Sequence, residues 1–86
     1  MEVRHNEAAH RFEVPLGNDF AVLEYALEGK QIIFLHTGVP EAYEGKGIAS
    51  QLVKTGLDYA RSAGLTVVAR CPYVKAYLER HPQVFA

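Results

Sequence analysis

Tryptophan is absent from this 86-residue chain, and cysteine and methionine occur once each. A single cysteine, Cys71, excludes an intramolecular disulfide, so nothing calls for an oxidising compartment and the cytoplasm is the expected location. Long apolar runs are missing as well. No segment approaches the ~20 apolar residues of a membrane span, and the opening MEVRHNEAAHRFEV is too interrupted by charge to hold the apolar stretch of a signal peptide. Charge of one sign is not in excess either. Nine basic and ten acidic side chains leave a formal charge of −1, so no net field draws the chain to nucleic acid or to an anionic membrane. The four prolines are scattered, there is no repeat or low-complexity run, and His5, His10, His36 and His81 have no metal-ligand spacing, with or without Cys71.

What is present is the composition of a folded globule, 49% hydrophobic and 10% aromatic. A chain of this length makes one domain, residues 1–86, with no room for a separate substrate domain. Its core is thin, because a domain this small buries roughly two thirds of its unfolded surface, and a monomer or weak dimer is expected.

The first half reads as strands. A short strand is expected over Glu2 to His5, turning through Asn6-Glu7. Phe12 and Val14 then alternate with Arg11 and Glu13, and LGND supplies a turn before FAVLEYAL, residues 20 to 27. Glu28-Gly29 is the expected hairpin turn and KQIIFLHT, residues 30 to 37, the returning strand. Pro40 ends that ladder and a loop runs to Gly45. From Ile48 the apolar positions 48, 49, 52, 53, 57 and 60 lie on one helical face, and Gly64 ends the helix. LTVVARC, 65 to 71, reads as a strand with Leu65, Val67, Ala69 and Cys71 on one face. VKAYLER, 74 to 80, reads as a short helix. The expected fold is α+β: a mixed, mostly antiparallel sheet of about five strands with one long and one short helix, containing a β-α-β crossover.

The stretch EAYEGKGIASQLV sets Gly45-Lys46-Gly47 at the head of the long helix. Two phosphate-binding patterns do not fit. Gly38 lies too far upstream for a P-loop and Gly47 replaces its Ser or Thr, while a dinucleotide turn meets Ser50 at its last position with no acidic residue near position 65. A third reading is a pyrophosphate cradle, in which helix N-terminal amides and the helix dipole hold the anion, glycine lets it approach the backbone, and Lys46 and Lys54 add charge. The alternative is an ordinary glycine-rich helix entry.

The surrounding residues resemble the GCN5-related N-acetyltransferases. Glu44-Gly45-Lys46-Gly47-Ile48-Ala49 is similar to their acetyl-CoA motif Q/R-x-x-G-x-G/A, and CPYVKAYLERHP resembles their very small single-domain branch, the likeness covering about residues 20 to 83. The resemblance implies an enzyme that transfers acetyl from acetyl-CoA to an amine of a small molecule or a protein lysine. It implies pyrophosphate on residues Gly45, Lys46, Gly47, Ile48, Ala49 and Ser50, pantetheine paired with Val39, and Tyr73 beside the cofactor. Glu44 departs from the pattern, where Gln or Arg is usual. Either it turns outward and the amides carry binding, or cofactor affinity is lower.

For catalysis, Cys71 at the acetyl end is either a nucleophile or contact for the thioester, or a small buried residue of the sheet face. His36, expected on the face of Ile32 and Phe34, is a base for the amine or a packed core histidine; Glu24 and Glu41 are lesser candidates. Tyr77 matches the tyrosine that protonates the leaving thiolate in the family, or packs the short helix. Arg80 and His81 either meet the adenosine 3′-phosphate or lie exposed at a helix end. Two further readings stand beside the enzyme: a non-catalytic module that binds CoA or acyl-CoA, and a small interaction domain whose glycine turn is a helix entry alone.

Overall fold

The computed structural model describes residues 2–82. Five strands form one sheet in the order of the chain: β1 (Arg4–Asn6), β2 (Arg11–Leu16), β3 (Asp19–Glu28), β4 (Gln31–Gly38) and β5 (Thr66–Ala69). The first four make an antiparallel meander and β5 lies parallel to β4. Between β4 and β5 runs α1 (Ile48–Ser62), and α2 (Pro72–Arg80) follows β5, which is the mixed α+β arrangement expected. No helix among the described residues is long and apolar enough to cross a membrane.

Alternation explains which face is covered. Phe12 and Val14 of β2, Ala21, Leu23 and Tyr25 of β3, and Ile32 and Phe34 of β4 are buried in one cluster with Leu52, Val53, Leu57 and Ala60 of α1 and Val74 of α2. The two helices touch one another and share this face. On the other face Val22, Glu24 and Ala26 are half-buried. There the carboxylate of Glu13, the one buried charge among the described residues, accepts from Arg11 Nε at 2.6 Å.

Several boundaries differ from the sequence expectation. The first strand begins at Arg4 and extends to Asn6, and its loop is Glu7 to His10, closed by an amide of His10 on the Glu7 carbonyl. Glu28 pairs with Gln31, so the β3–β4 turn is Gly29-Lys30 and not Glu28-Gly29; Gly29 takes the first turn position at φ +59°, where a side chain is strained. The loop after Pro40 contains a 3-10 turn, Glu41–Tyr43. β5 stops at Ala69, so Cys71 is not a strand residue. It is the N-cap of α2, which starts two residues early because the fixed φ of Pro72 suits the first helical position.

The largest correction concerns His36. Tyr25 pairs with Phe34 but Glu24 pairs with His36, so Leu35 is an extra residue and a β-bulge. The inserted residue reverses the alternation. His36 therefore leaves the face of Ile32 and Phe34 and stands exposed beside Glu24, with its Nε2 3.0 Å from where a Cβ on Gly38 would lie. Thr37 takes the inward position instead.

Candidate functional site

β4 outlasts its partner. The parallel pairing ends at Phe34 and Ala69, where the Phe34 carbonyl accepts both the Arg70 and Cys71 amides, while β4 continues to Gly38 against β3 alone. In an antiparallel pair every second residue turns its N–H and C=O away from the partner. Phe34 is such a residue, and the bulge makes Thr37 the next. The strands thus splay with Thr37 backbone and side chain facing the gap.

A pocket of about 350 Å³ opens at this splay, lined by Thr37, Val39, Tyr43, Glu44, Gly45, Gly47, Ile48, Ala49 and Tyr73. Its floor is the turn into α1. Gly45 and Gly47 have φ of +81° and +80°, a conformation that favours glycine, and nothing stands within 4 Å of where their Cβ atoms would be. Gly47 is the N-cap of α1 and supplies no side-chain cap. The Gln51 amide is the first to return to the helix, on the Gly47 carbonyl at 3.1 Å, so the amides of Ile48, Ala49 and Ser50 lack intrahelical partners. Such amides, with the dipole of a 15-residue helix behind them, favour an anion.

Beyond Thr37 lies Cys71, 4% exposed, with Thr37 Oγ1 3.2 Å from its sulfur. Burial pushes the thiol pKa up. The Thr37 hydroxyl and the amides of Val74, Tyr73 and Thr37, which face the sulfur, favour the thiolate and together outweigh burial, so the pKa lies below the ordinary thiol value. Cys71 lies one hydrogen bond behind the pocket residue Thr37 and does not itself line the pocket.

The pocket brings together Val39, Gly45, Gly47, Ile48, Ala49 and Tyr73, residues singled out from the sequence. Lys46 and Ser50 belong to the same turn but do not line it, and Lys54 is engaged with Asp58 on α1 at 2.9 Å. His36 stands on the helix-free face. Tyr77 is half-buried on α2, its ring 4.4 Å from that of His81, and neither Tyr77 nor His36 lines the pocket. Glu44, exposed, does line it.

Two pocket residues escaped the sequence reading. Thr37 reaches the splay only because Leu35 is inserted, which no pattern in QIIFLHTG announces. Tyr43 carried a usable signal, an aromatic between Pro40 and the glycine turn; its hydroxyl lies near the β2–β3 turn, 3.9 Å from where a Cβ on Gly17 would stand.

Comparison with known proteins matches nearly the whole chain. A family model described as GCN5-related N-acetyl-transferase matches residues 11–86. Protein NATD1 of Gallus gallus is 39% identical over 85 residues, covering 95% of this chain and 77% of that protein. Protein NATD1 of Homo sapiens is 39% identical with 75% of its length covered, and that of Danio rerio 34% identical with 77% covered.

Proposed function

The chain belongs to the GCN5-related N-acetyltransferase family, and from that premise we propose that it binds acetyl-CoA at the turn into α1 and transfers the acetyl group to an amine. The observation that carries this reading is the pair of left-handed glycines at the head of α1, opening on a pocket whose Thr37 is in contact with the Cys71 sulfur behind it.

The residues present fit the cofactor. Open space where Cβ atoms would stand lets a diphosphate approach the amides of residues 45 to 50, and the mostly apolar wall of Val39, Ile48, Ala49 and Tyr73 suits the pantetheine arm. Acetyl-CoA, when bound, supplies a thioester whose carbonyl carbon is open to attack by an uncharged amine. The chain's own part is to hold and orient. Val39 offers backbone to pair with the arm, and Tyr73 walls the pocket at the start of α2. Thr37 faces a Cys71 sulfur whose pKa lies below the ordinary thiol value, and the thiolate present would accept an acetyl group, releasing CoA as its thiolate, ahead of the amine. His36, on the helix-free face and outside the pocket lining, takes no proton in this account. Tyr77 and Glu44 take no step in this account.

Calorimetric titration with acetyl-CoA and CoA tests it, on the parent and on a Gly47→Glu variant shown by circular dichroism to be folded. Binding by the parent that the variant loses is expected, because a carboxylate at the cradle repels phosphate and blocks its approach. No binding by the parent at millimolar cofactor overturns the reading. Intact mass after acetyl-CoA alone then reports whether Cys71 gains an acetyl group.

A second reading, a module that holds CoA without turning it over, draws on Glu44 in the pocket wall and on His36 and Tyr77 standing off it. Binding without acetylation of any lysine peptide, polyamine or small amine would decide for that module.

A further inference from the structure

We propose that the outer edge of β5 takes an extended, lysine-bearing segment of a protein acceptor as a sixth strand, an assignment of substrate class that rests on the acetyl-transfer reading above. β5 is the last strand of the sheet, paired among the described residues with β4 alone. The Thr66 amide donates to Lys30 and the Arg70 amide to Phe34, so residues 66, 68 and 70 turn their backbone toward β4. Val67 and Ala69, between them, turn N–H and C=O outward. Donors and acceptors spaced along an extended edge are matched in series only by another extended backbone, which identifies the occupant as polypeptide.

The edge lacks the usual safeguards against strand addition. Thr66–Ala69 carries no proline, no charge and no bulge, and among the described residues its only protection is its length of four residues. The opposite edge, β1, is three residues long and carries the exposed charge of Arg4. Position also favours β5. Two residues past Ala69 the chain reaches Cys71, which is in contact with the pocket residue Thr37, so the C-terminal end of this edge lies close in sequence to the site. A second copy is a poorer occupant, because pairing over four residues buries far less than the ~1,200 Å² of a stable interface, whereas a substrate needs only to dwell for turnover.

Ala69→Pro tests the edge selectively. Its N–H points away from β4, so proline removes an outward donor and adds bulk there while the β4 ladder stays intact. The probes are synthetic 11-residue peptides with a central lysine and randomised flanks, and spermidine as an amine without a backbone. In the parent, NMR amide exchange at Val67 and Ala69 is expected to be fast and to slow by about tenfold or more with millimolar peptide. The variant is expected to keep acetyl-CoA affinity and spermidine turnover and to lose about tenfold in kcat/KM for peptide, the scale of one or two lost hydrogen bonds. Backbone N-methylation of the best peptide at alternate residues is expected to reproduce that loss in one parity only, with no protein variant needed. Peptide turnover by Ala69→Pro equal to the parent overturns the proposal. So does slow exchange at Val67 and Ala69 without peptide, which would show the edge already held. Failure of acetyl-CoA binding instead overturns the transfer reading, and amide exchange still reads the edge independently.

Discussion

The 3.2 Å contact between Thr37 Oγ1 and Cys71 Sγ gathers the local chemistry into one pair of atoms. Burial raises the thiol pKa, and what lowers it below the ordinary value is the hydroxyl of Thr37 together with the nearby amides. Thr37→Val keeps the shape and removes the hydroxyl, so the pKa of Cys71 moves up and less thiolate is present at neutral pH. The rate of iodoacetamide alkylation against pH is expected to shift to a higher midpoint, and Thr37→Ser to retain the parental profile. An unchanged midpoint in Thr37→Val would assign the lowered pKa to the backbone amides alone.

At the scale of elements, α1 lies close against the sheet through a glycine, while the bulge in β4 aims the strand end. A Cβ on Gly56 would stand 2.9 Å from Leu23 Cδ2 and 3.1 Å from Phe34 Cε1, both side chains fully buried. Alanine is the better helix former by about 1 kcal/mol, but overpacking a closed core costs about 1–3 kcal/mol. The clash wins, because the atoms in the way belong to packed core side chains. Gly56→Ala is expected to lower the urea unfolding midpoint with its m-value unchanged, and a raised midpoint would show that Leu23 and Phe34 yield at little cost.

Across the whole molecule, a five-stranded sheet with helices on one face draws stability from how its first strand is tied down. His5 does this. Its ring stacks on Phe12 at 4.1 Å, meets Tyr59 of α1 edge-on at 4.4 Å, and pairs with the Tyr25 hydroxyl at 2.6 Å, so β1, β2, β3 and α1 converge on one imidazole. Burial lowers the His5 pKa below 6.5, more than the nearby Glu7 raises it. The unfolded chain therefore binds the proton more readily than the folded one. Stability from this group is fully present above pH 6.5, falls as pH drops below that value, and levels off beneath the folded pKa. Urea midpoints between about pH 7.5 and 5 are expected to fall in the parent and to flatten in His5→Phe. A parent midpoint that does not change over that range would refute this account.

Composition and periodicity were sufficient, without coordinates, for the element order, the mixed sheet and the amphipathic α1, because each depends on spacing within one segment. The glycine turn was legible for the same reason: positive φ at Gly45 and Gly47 is a local demand that only glycine meets without strain. Which side chains reach the pocket was a different matter. A single inserted residue, Leu35, sends His36 to the bare face and Thr37 to Cys71, and nothing within β4 reveals it, since the bulge arises from the pairing of β4 with β3. The start of α2 at Pro72, which makes Cys71 a helix cap and not a strand residue, was by contrast a local matter, since the fixed φ of proline suits the first helical position. Local preference set the elements; the register between distant strands decided which atoms face the pocket, because a shift of one residue reverses every side chain beyond it.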